Sequence, residues 1–233
     1  MLRESFEQLE EAHAKLEKAH LDTIFRLSIA AEYKDENIAY HIRHMSSYAG
    51  VVPKNMELPE EQVQLIIHAA PMHDVGKIGI PDHILLKPSK LSLEEWTIMK
   101  NHTLIGGRIL ENADDDLIKA GQIIALSHHE KWDGSGYPGG MKGEYIPLMG
   151  RITAIADVFD ALTSKRPYKP PMSNEKAFGI IEDVNCSHFD PEVCRAFFDG
   201  IDEILFAQKQ YLDTSVQEIQ CKGLCQNKKE QEK

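Results

Sequence analysis

Ala70-Pro71-Met72-His73-Asp74-Val75-Gly76-Lys77 closes an apolar run (Val63, Leu65, Ile66, Ile67) that reads as a buried helix. An imidazole nitrogen and a carboxylate from neighbouring backbone positions form a metal-type pair. The two oxygens of Asp74 would let it bridge two cations while His73 binds one of them. Alone, the dipeptide carries little. It gains weight because His102, the pair His128-His129 and Asp157 each lie on or beside another apolar helical pattern. Four helices that each deliver such a ligand point to a metal centre inside an all-α fold.

Outward from this stretch the pattern stays helical. His41 and His44, three apart, share one face of a helix through Ile38, Ile42 and Met45. Pro59-Glu60-Glu61 opens the helix that ends at His73-Asp74, and Gly76, Gly79 and Pro81 mark a loop behind it. Ser92-Leu93-Glu94-Glu95 is a capping box, predicted to start one helix through Trp96, His102 and Ile105 to Leu110. Another is predicted from Asp114-Asp115-Asp116 to His128-His129. The stretch Trp132-Asp133-Gly134-Ser135-Gly136-Tyr137-Pro138-Gly139-Gly140 is too rich in turn formers for regular structure. Pro147 suits the first turn of a long helix with Ile152, Ile155 and Phe159. Asp157 falls inside that apolar pattern, where an unpaired carboxylate is costly to bury. Ser173 is placed to cap the next helix. No strand pattern occurs in the sequence.

The first 26 residues lack Gly and Pro, and Leu2, Leu9 and Leu16 recur every seven, which suggests a coiled-coil-like helix. Such a helix dimerises a chain, relays a signal from an upstream domain, or does both. The 233 residues, 42% hydrophobic and 27% charged, suffice for one sizeable core. A formal net charge of -11 argues against a nucleic-acid or anionic-membrane binder, so an anionic substrate needs a local cationic or metallic site. No stretch approaches the roughly 20 apolar residues of a membrane span, and the chain opens into charge rather than a signal peptide. Cys186, Cys194, Cys221 and Cys225 are scattered and late, and read as reduced thiols in a cytoplasmic protein.

His73-Asp74, followed by His128-His129-Glu130-Lys131-Trp132-Asp133-Gly134-Ser135-Gly136-Tyr137-Pro138, resembles the HD-GYP family, a branch of the HD phosphohydrolases. Residues 73–88 and 151–168 match as well. The resemblance implies an HD-type helical bundle that hydrolyses cyclic di-GMP to pGpG, and in some relatives onward to GMP, with a metal-bridging hydroxide. It divides the chain into a signalling or dimerisation helix over 1–26, a catalytic domain over 27–205 and a polar tail over 206–233. It implies that His41, His73, Asp74 and Asp157 hold one metal, with Asp74 bridging to a second held by His102, His128 and His129. Lys77 would then sit near the leaving oxygen or a phosphate oxygen as Asp74's catalytic companion. Arg166 and Lys169 would hold the substrate phosphates, and Tyr137 belongs to the signature loop, a surface suited to substrate or to a docking protein. Imidazole and carboxylate ligation suits iron or manganese, with zinc or nickel compatible.

Two departures stand out. Asn37 lies four residues before His41, where relatives with a third metal carry a glutamate; an amide brings no charge, so two metals are expected. His44 stands where many relatives carry arginine. Asp160, three residues after Asp157, is placed to orient a ligand from behind. The rival readings are hydrolysis of another cyclic dinucleotide or nucleotide phosphoester, and a non-catalytic cyclic di-GMP sensor or docking module.

Overall fold

A computed structural model describes residues 2–33, 38–164 and 170–210. Asn37, Arg166, Lys169, Cys221 and Cys225 lie outside the described residues. The expected all-α fold is what the chain adopts: among the described residues there is no strand, only an isolated bridge between Asn185 and Phe189. The helices are α1 (Leu2–Glu32), α2 (Ile38–Asn55), α3 (Glu60–Ala69), α4 (Asp82–Leu85), α5 (Leu93–Lys100) and α6 (His102–Ile109). They continue with α7 (Asp116–Ser127), α8 (Leu148–Thr163), α9 (Asn174–Asp183) and α10 (Pro191–Asp199), and residues 201–210 are again helical.

Two apolar clusters organise the bundle. One packs Met45, Tyr48 and Val52 of α2 against Ile152, Ile155 and Phe159 of α8, closed by Ile181 of α9 and Phe197 of α10. Its aromatic centre has Phe159 parallel to Phe178 with ring centroids 5.3 Å apart, and Phe197 edge-on to Phe159 at 5.4 Å. The other joins Ile24 of α1 to Ala69, Met72 and Ala120, Ile124 and Ala125 of α7. Ala70 belongs to the first cluster and Ala69 and Met72 to the second, so the segment carrying His73-Asp74 leaves from the seam between them.

Local chemistry sets the helix ends. Ser92 accepts from the Glu95 amide while the Glu95 side chain accepts from the Ser92 amide, so the capping box forms as its residues predict. Asp115 accepts from the Leu117 and Ile118 amides at the start of α7, and Ser173 caps α9. The single helix predicted from Ser92 to Leu110 is instead broken at Asn101. There His102 Nδ1 takes the Met99 carbonyl at 2.8 Å and Thr103 Oγ1 donates to the Lys100 carbonyl at 3.0 Å. Side chains thus replace the main-chain bonds that would carry the helix on. The loop expected behind His73-Asp74 is a 3-10 turn, Val75–Gly79, and the helix expected to reach the pair ends at Ala69, with a second 3-10 turn, Ala70–Met72, leading into it.

α1 is one unbroken helix through the boundary drawn at residue 26. What changes along it is burial. Residues 3–20 are exposed throughout, whereas Ile24, Ser28, Ala31 and Glu32 are buried along one face. Ion pairs four residues apart, such as Lys15–Glu11 at 2.7 Å and Arg26–Asp22 at 2.7 Å, support the exposed part. Phe6, Leu9 and Leu16 of the heptad seam are 61–70% exposed. No helix among the described residues is long and apolar enough to cross a membrane.

Gly76 is required by close approach: a Cβ there would run into the His102 carbonyl and the Gly106 amide nitrogen, both backbone atoms of α6. Gly179 inside α9 has nothing within 4 Å of the same position. Gly76→Ala should therefore destabilise the fold by about 3 kcal/mol, while Gly179→Ala should stabilise it by about 0.5–1 kcal/mol through helix propensity. Urea denaturation of both variants beside the parent checks the pair, and equal midpoints would contradict the packing described here.

Candidate metal centre

Asp74 follows the first 3-10 turn, buried, with its two carboxylate oxygens facing different partners. Oδ1 lies 3.3 Å from His102 Nε2 and 3.8 Å from His128 Nε2. Oδ2 lies 3.1 Å from His73 Nε2 and 2.5 Å from Lys77 Nζ. Two groups of ligand atoms result, each within 4.8 Å: Asp74 with His102, His128 and His129, and Asp74 with Glu32, His41 and His73. A carboxylate shared between two histidine groups is the arrangement that a pair of cations needs. Among the described residues His73 Nε2 and Asp74 Oδ1 are buried without a hydrogen-bond partner, as atoms that would bind a cation are. The residues present fit a metal.

Each imidazole is aimed by its other nitrogen. Nδ1 of His73 bonds the Ala70 carbonyl at 2.9 Å, that of His102 the Met99 carbonyl at 2.8 Å and that of His128 the Ile124 carbonyl at 3.0 Å. With Nδ1 donating to a carbonyl, Nε2 is the lone-pair nitrogen of the neutral ring and points to the centre. His41 uses a carboxylate instead: its Nδ1 is 2.6 Å from Asp160 Oδ2, and His44 Nδ1 is 2.7 Å from Asp160 Oδ1. Asp160 on α8 thus fixes the His41 ring of α2, and His44 shares the same carboxylate. Asp157 Oδ1 is 3.9 Å from His41 Nε2, at the rim of the second group.

The charges differ across the site. Burial, reinforced by the neighbouring His73, pushes His128 down to about 3, and burial next to His128 holds His129 well below the usual histidine range. Those rings are neutral at physiological pH. Burial also opposes a charge on His73, but Asp74, Asp157 and Glu32 overcome it and raise His73 to about 9. Burial opposes ionisation of Asp74 too, yet Lys77 and His73 hold it well below the carboxylate range.

Three side chains in or around the centre escaped the sequence reading. Glu32, the last residue of α1, is 96% buried among His41, His73 and Asp74, and its Oε1 has no hydrogen-bond partner among the described residues. The 4% exposure of a glutamate closing Ile29-Ala30-Ala31 was signalled only by that apolar neighbourhood. Glu130, buried at 2% exposure, accepts from the Gly139 amide at 2.6 Å and the Met141 amide at 2.9 Å, tying down the glycine-rich loop. That loop brings Tyr137 to 4.7 Å from the His129 ring, and Trp96 stands edge-on to Tyr137 at 6.1 Å, with Lys100 5.8 Å from the Tyr137 ring. Trp96 belonged to a helix whose apolar pattern explained it without a site.

Two outcomes follow from this geometry. Asp160→Asn should lower metal affinity by about 10–100-fold, because it loosens His41 without removing a ligand; titration of the apo-protein with Mn²⁺ checks this, and unchanged affinity would refute the orienting role. Metal binding at His73 must also displace a proton that stays bound up to about pH 9, far above the ordinary value near 6.5. Whatever stability that proton gives the apo-protein is present below about pH 6.5 and lost as pH rises through 9. Metal uptake should release protons and tighten as pH rises from 6 to 9; calorimetry in buffers of different ionisation enthalpy would detect the release.

The HD domain family profile matches residues 13–193. Over 208 residues the chain is 43% identical to a cyclic di-GMP phosphodiesterase from Thermotoga maritima, covering 88% of this chain and 56% of that protein. Over 186 residues it is 45% identical to the cyclic di-GMP phosphodiesterase response regulator RpfG of Xanthomonas campestris pv. campestris, covering 80% of this chain and 49% of that one. The chain therefore spans about half the length of these relatives. A solved Vibrio cholerae structure, described as a cyclic GMP-AMP specific phosphodiesterase, shares the fold with a TM-score of 0.57 at 18% identity, over 82% of this chain and 53% of that one. A family match of this extent, over a chain carrying both the His73-Asp74 pair and the His128-to-Pro138 stretch, means that the protein belongs to the HD domain family.

Proposed function

We propose that this chain hydrolyses cyclic di-GMP to linear pGpG, with two divalent cations, iron or manganese in the first place and zinc or nickel as compatible substitutes. The observation that carries the reading is the position of Asp74, whose two oxygens face separate histidine groups. The relatives named cyclic di-GMP phosphodiesterases at 43% and 45% identity supply the substrate. Bound there, two cations would generate a nucleophilic hydroxide at neutral pH and neutralise charge on the phosphoryl oxygens.

The residues of the chain supply the rest. Water oxygen adds to phosphorus, the bond from phosphorus to the ribose 3′-oxygen breaks, and that oxygen takes up a proton. His41, His73, Asp74 and Asp157 would hold one cation, and Asp74, His102, His128 and His129 the other. Lys77, anchored by Asp74 at 2.5 Å, places a fixed ammonium beside the reacting phosphate or its leaving oxygen. Its charge is secure, since Asp74 raises it against the opposing effect of burial. Tyr137 with Trp96 forms an aromatic wall for a purine next to the His102 group. Arg166 and Lys169 would grip the phosphates and supply the positive charge that a chain of net charge -11 lacks elsewhere.

The exposed heptad face of α1 fits pairing with a second copy of the chain, or with the helix of an upstream sensory or receiver domain, in a cytoplasmic signalling protein. The Tyr137 loop is the natural face for a docking protein.

The test is chromatography of products after incubation with cyclic di-GMP and Mn²⁺ or Fe²⁺, with cyclic GMP-AMP in a parallel sample and metal quantified in both. The expected result is pGpG as end product, about two metals per chain, and slower turnover of cyclic GMP-AMP. Asp74→Ala should lose more than about a hundredfold in turnover, exceeding the loss typical of a residue that only orients a ligand. A variant that retained full turnover would refute the mechanism, and faster hydrolysis of cyclic GMP-AMP would refute the substrate.

A further inference from the structure

We propose that Glu32, delivered by the last turn of α1, is a ligand of the metal held by His41, His73 and Asp74, so that filling this site locks α1 against the domain. The proposal rests on reading the His–Asp pocket as a metal centre and adds a ligand and a linkage to it. Three observations support it. Glu32 is 96% buried, being 4% exposed, at the end of a helix whose residues 3–20 are exposed throughout. Its ligand atom lies within 4.8 Å of those of His41, His73 and Asp74, yet its Oε1 finds no hydrogen-bond donor among the described residues. An ionised glutamate buried beside the Asp74 carboxylate is repelled by it, and a bound cation would offset that repulsion. Lys77 is already drawn to Asp74 at 2.5 Å and His41 to Asp160 at 2.6 Å.

The consequence is mechanical as well as chemical. Ile24, Ser28 and Ala31 lie on the same helix face as Glu32 and hold the end of α1 against the bundle. A shift of α1 withdraws a metal ligand, and a bound metal resists the shift by the same free energy. The exposed part of α1 is thereby connected to the chemical centre through one carboxylate.

The test uses the full chain and Mn²⁺ alone, with no nucleotide. Glu32→Gln keeps the shape and removes the charge. It should lower the affinity of one of the two sites by at least about tenfold, equivalent to about 1.4 kcal/mol, and leave the His102–His128–His129 site filled. At limiting Mn²⁺ its metal content should fall from about two to about one per chain. Hydrogen exchange over residues 21–33 should slow on adding Mn²⁺ to the parent and not to the variant. The apo-variant should be at least as stable as the apo-parent, since a buried charge has been removed, and this separates lost ligation from failure to fold. Equal Mn²⁺ affinity and equal metal-induced protection in parent and variant would overturn the role of Glu32 while leaving the metal centre standing. A parent that binds no Mn²⁺ would overturn both.

Discussion

The buried carboxylate of Asp74 is the constraint around which the molecule is built. Lys77 and the imidazoles of His73, His102 and His128 approach it from the turn behind α3, from α6 and from the end of α7. Burying an ion with so little solvent requires every neighbour to be held in place. The close backbone approach at Gly76 and the break between α5 and α6 both serve that end. The first lets the turn carrying Asp74 lie directly on α6. The second turns His102 inward by giving its Nδ1 a carbonyl that an unbroken helix would have consumed.

The histidine rings of the site are aimed in two different ways. Backbone carbonyls of the local turn aim His73, His102 and His128, so these rings depend on helix ends that form independently of distant parts of the chain. His41 depends on Asp160, 119 residues away, and so on the packing of α2 against α8. The second ligand group is therefore assembled only when the larger apolar cluster, with Tyr48, Ile155 and Phe159 at its centre, has closed. Core packing and site geometry are one event there, whereas the His102–His128 group is more nearly local.

The glycine-rich loop illustrates how an irregular segment is made definite. Glu130 follows the paired histidines and caps two loop amides from inside. The Trp132 amide donates to the His188 carbonyl at 3.0 Å, and Arg151 reaches both the Trp132 ring, 5.7 Å away, and Asp190 at 2.5 Å. Asp190 in turn caps α10 by accepting from the Glu192 amide at 2.8 Å. A loop without regular hydrogen bonds is thus fastened to α8 and α10, and it holds Tyr137 beside His129.

Helix class, helix starts and the types of residue at the centre were legible in the amino-acid sequence. Apolar periodicity, the Ser92–Glu95 box, the helix start at Asp114-Asp115-Asp116, the Ser173 cap and the paired histidines are local signals, carried within a few residues by the geometry of a helical turn. Tertiary structure alone decided which oxygen of Asp74 meets which histidines, that one carboxylate of Asp160 serves both His41 and His44, and that Glu32 enters the pocket. It also decided that the apolar stretch from Leu93 to Ile109 is two helices, because periodicity continues across a break that side-chain hydrogen bonds create. Those outcomes depend on how helices far apart in the chain cross one another. No short-range pattern encodes a crossing, whereas burial of a charged group forces each one to find its partner once the crossing is made.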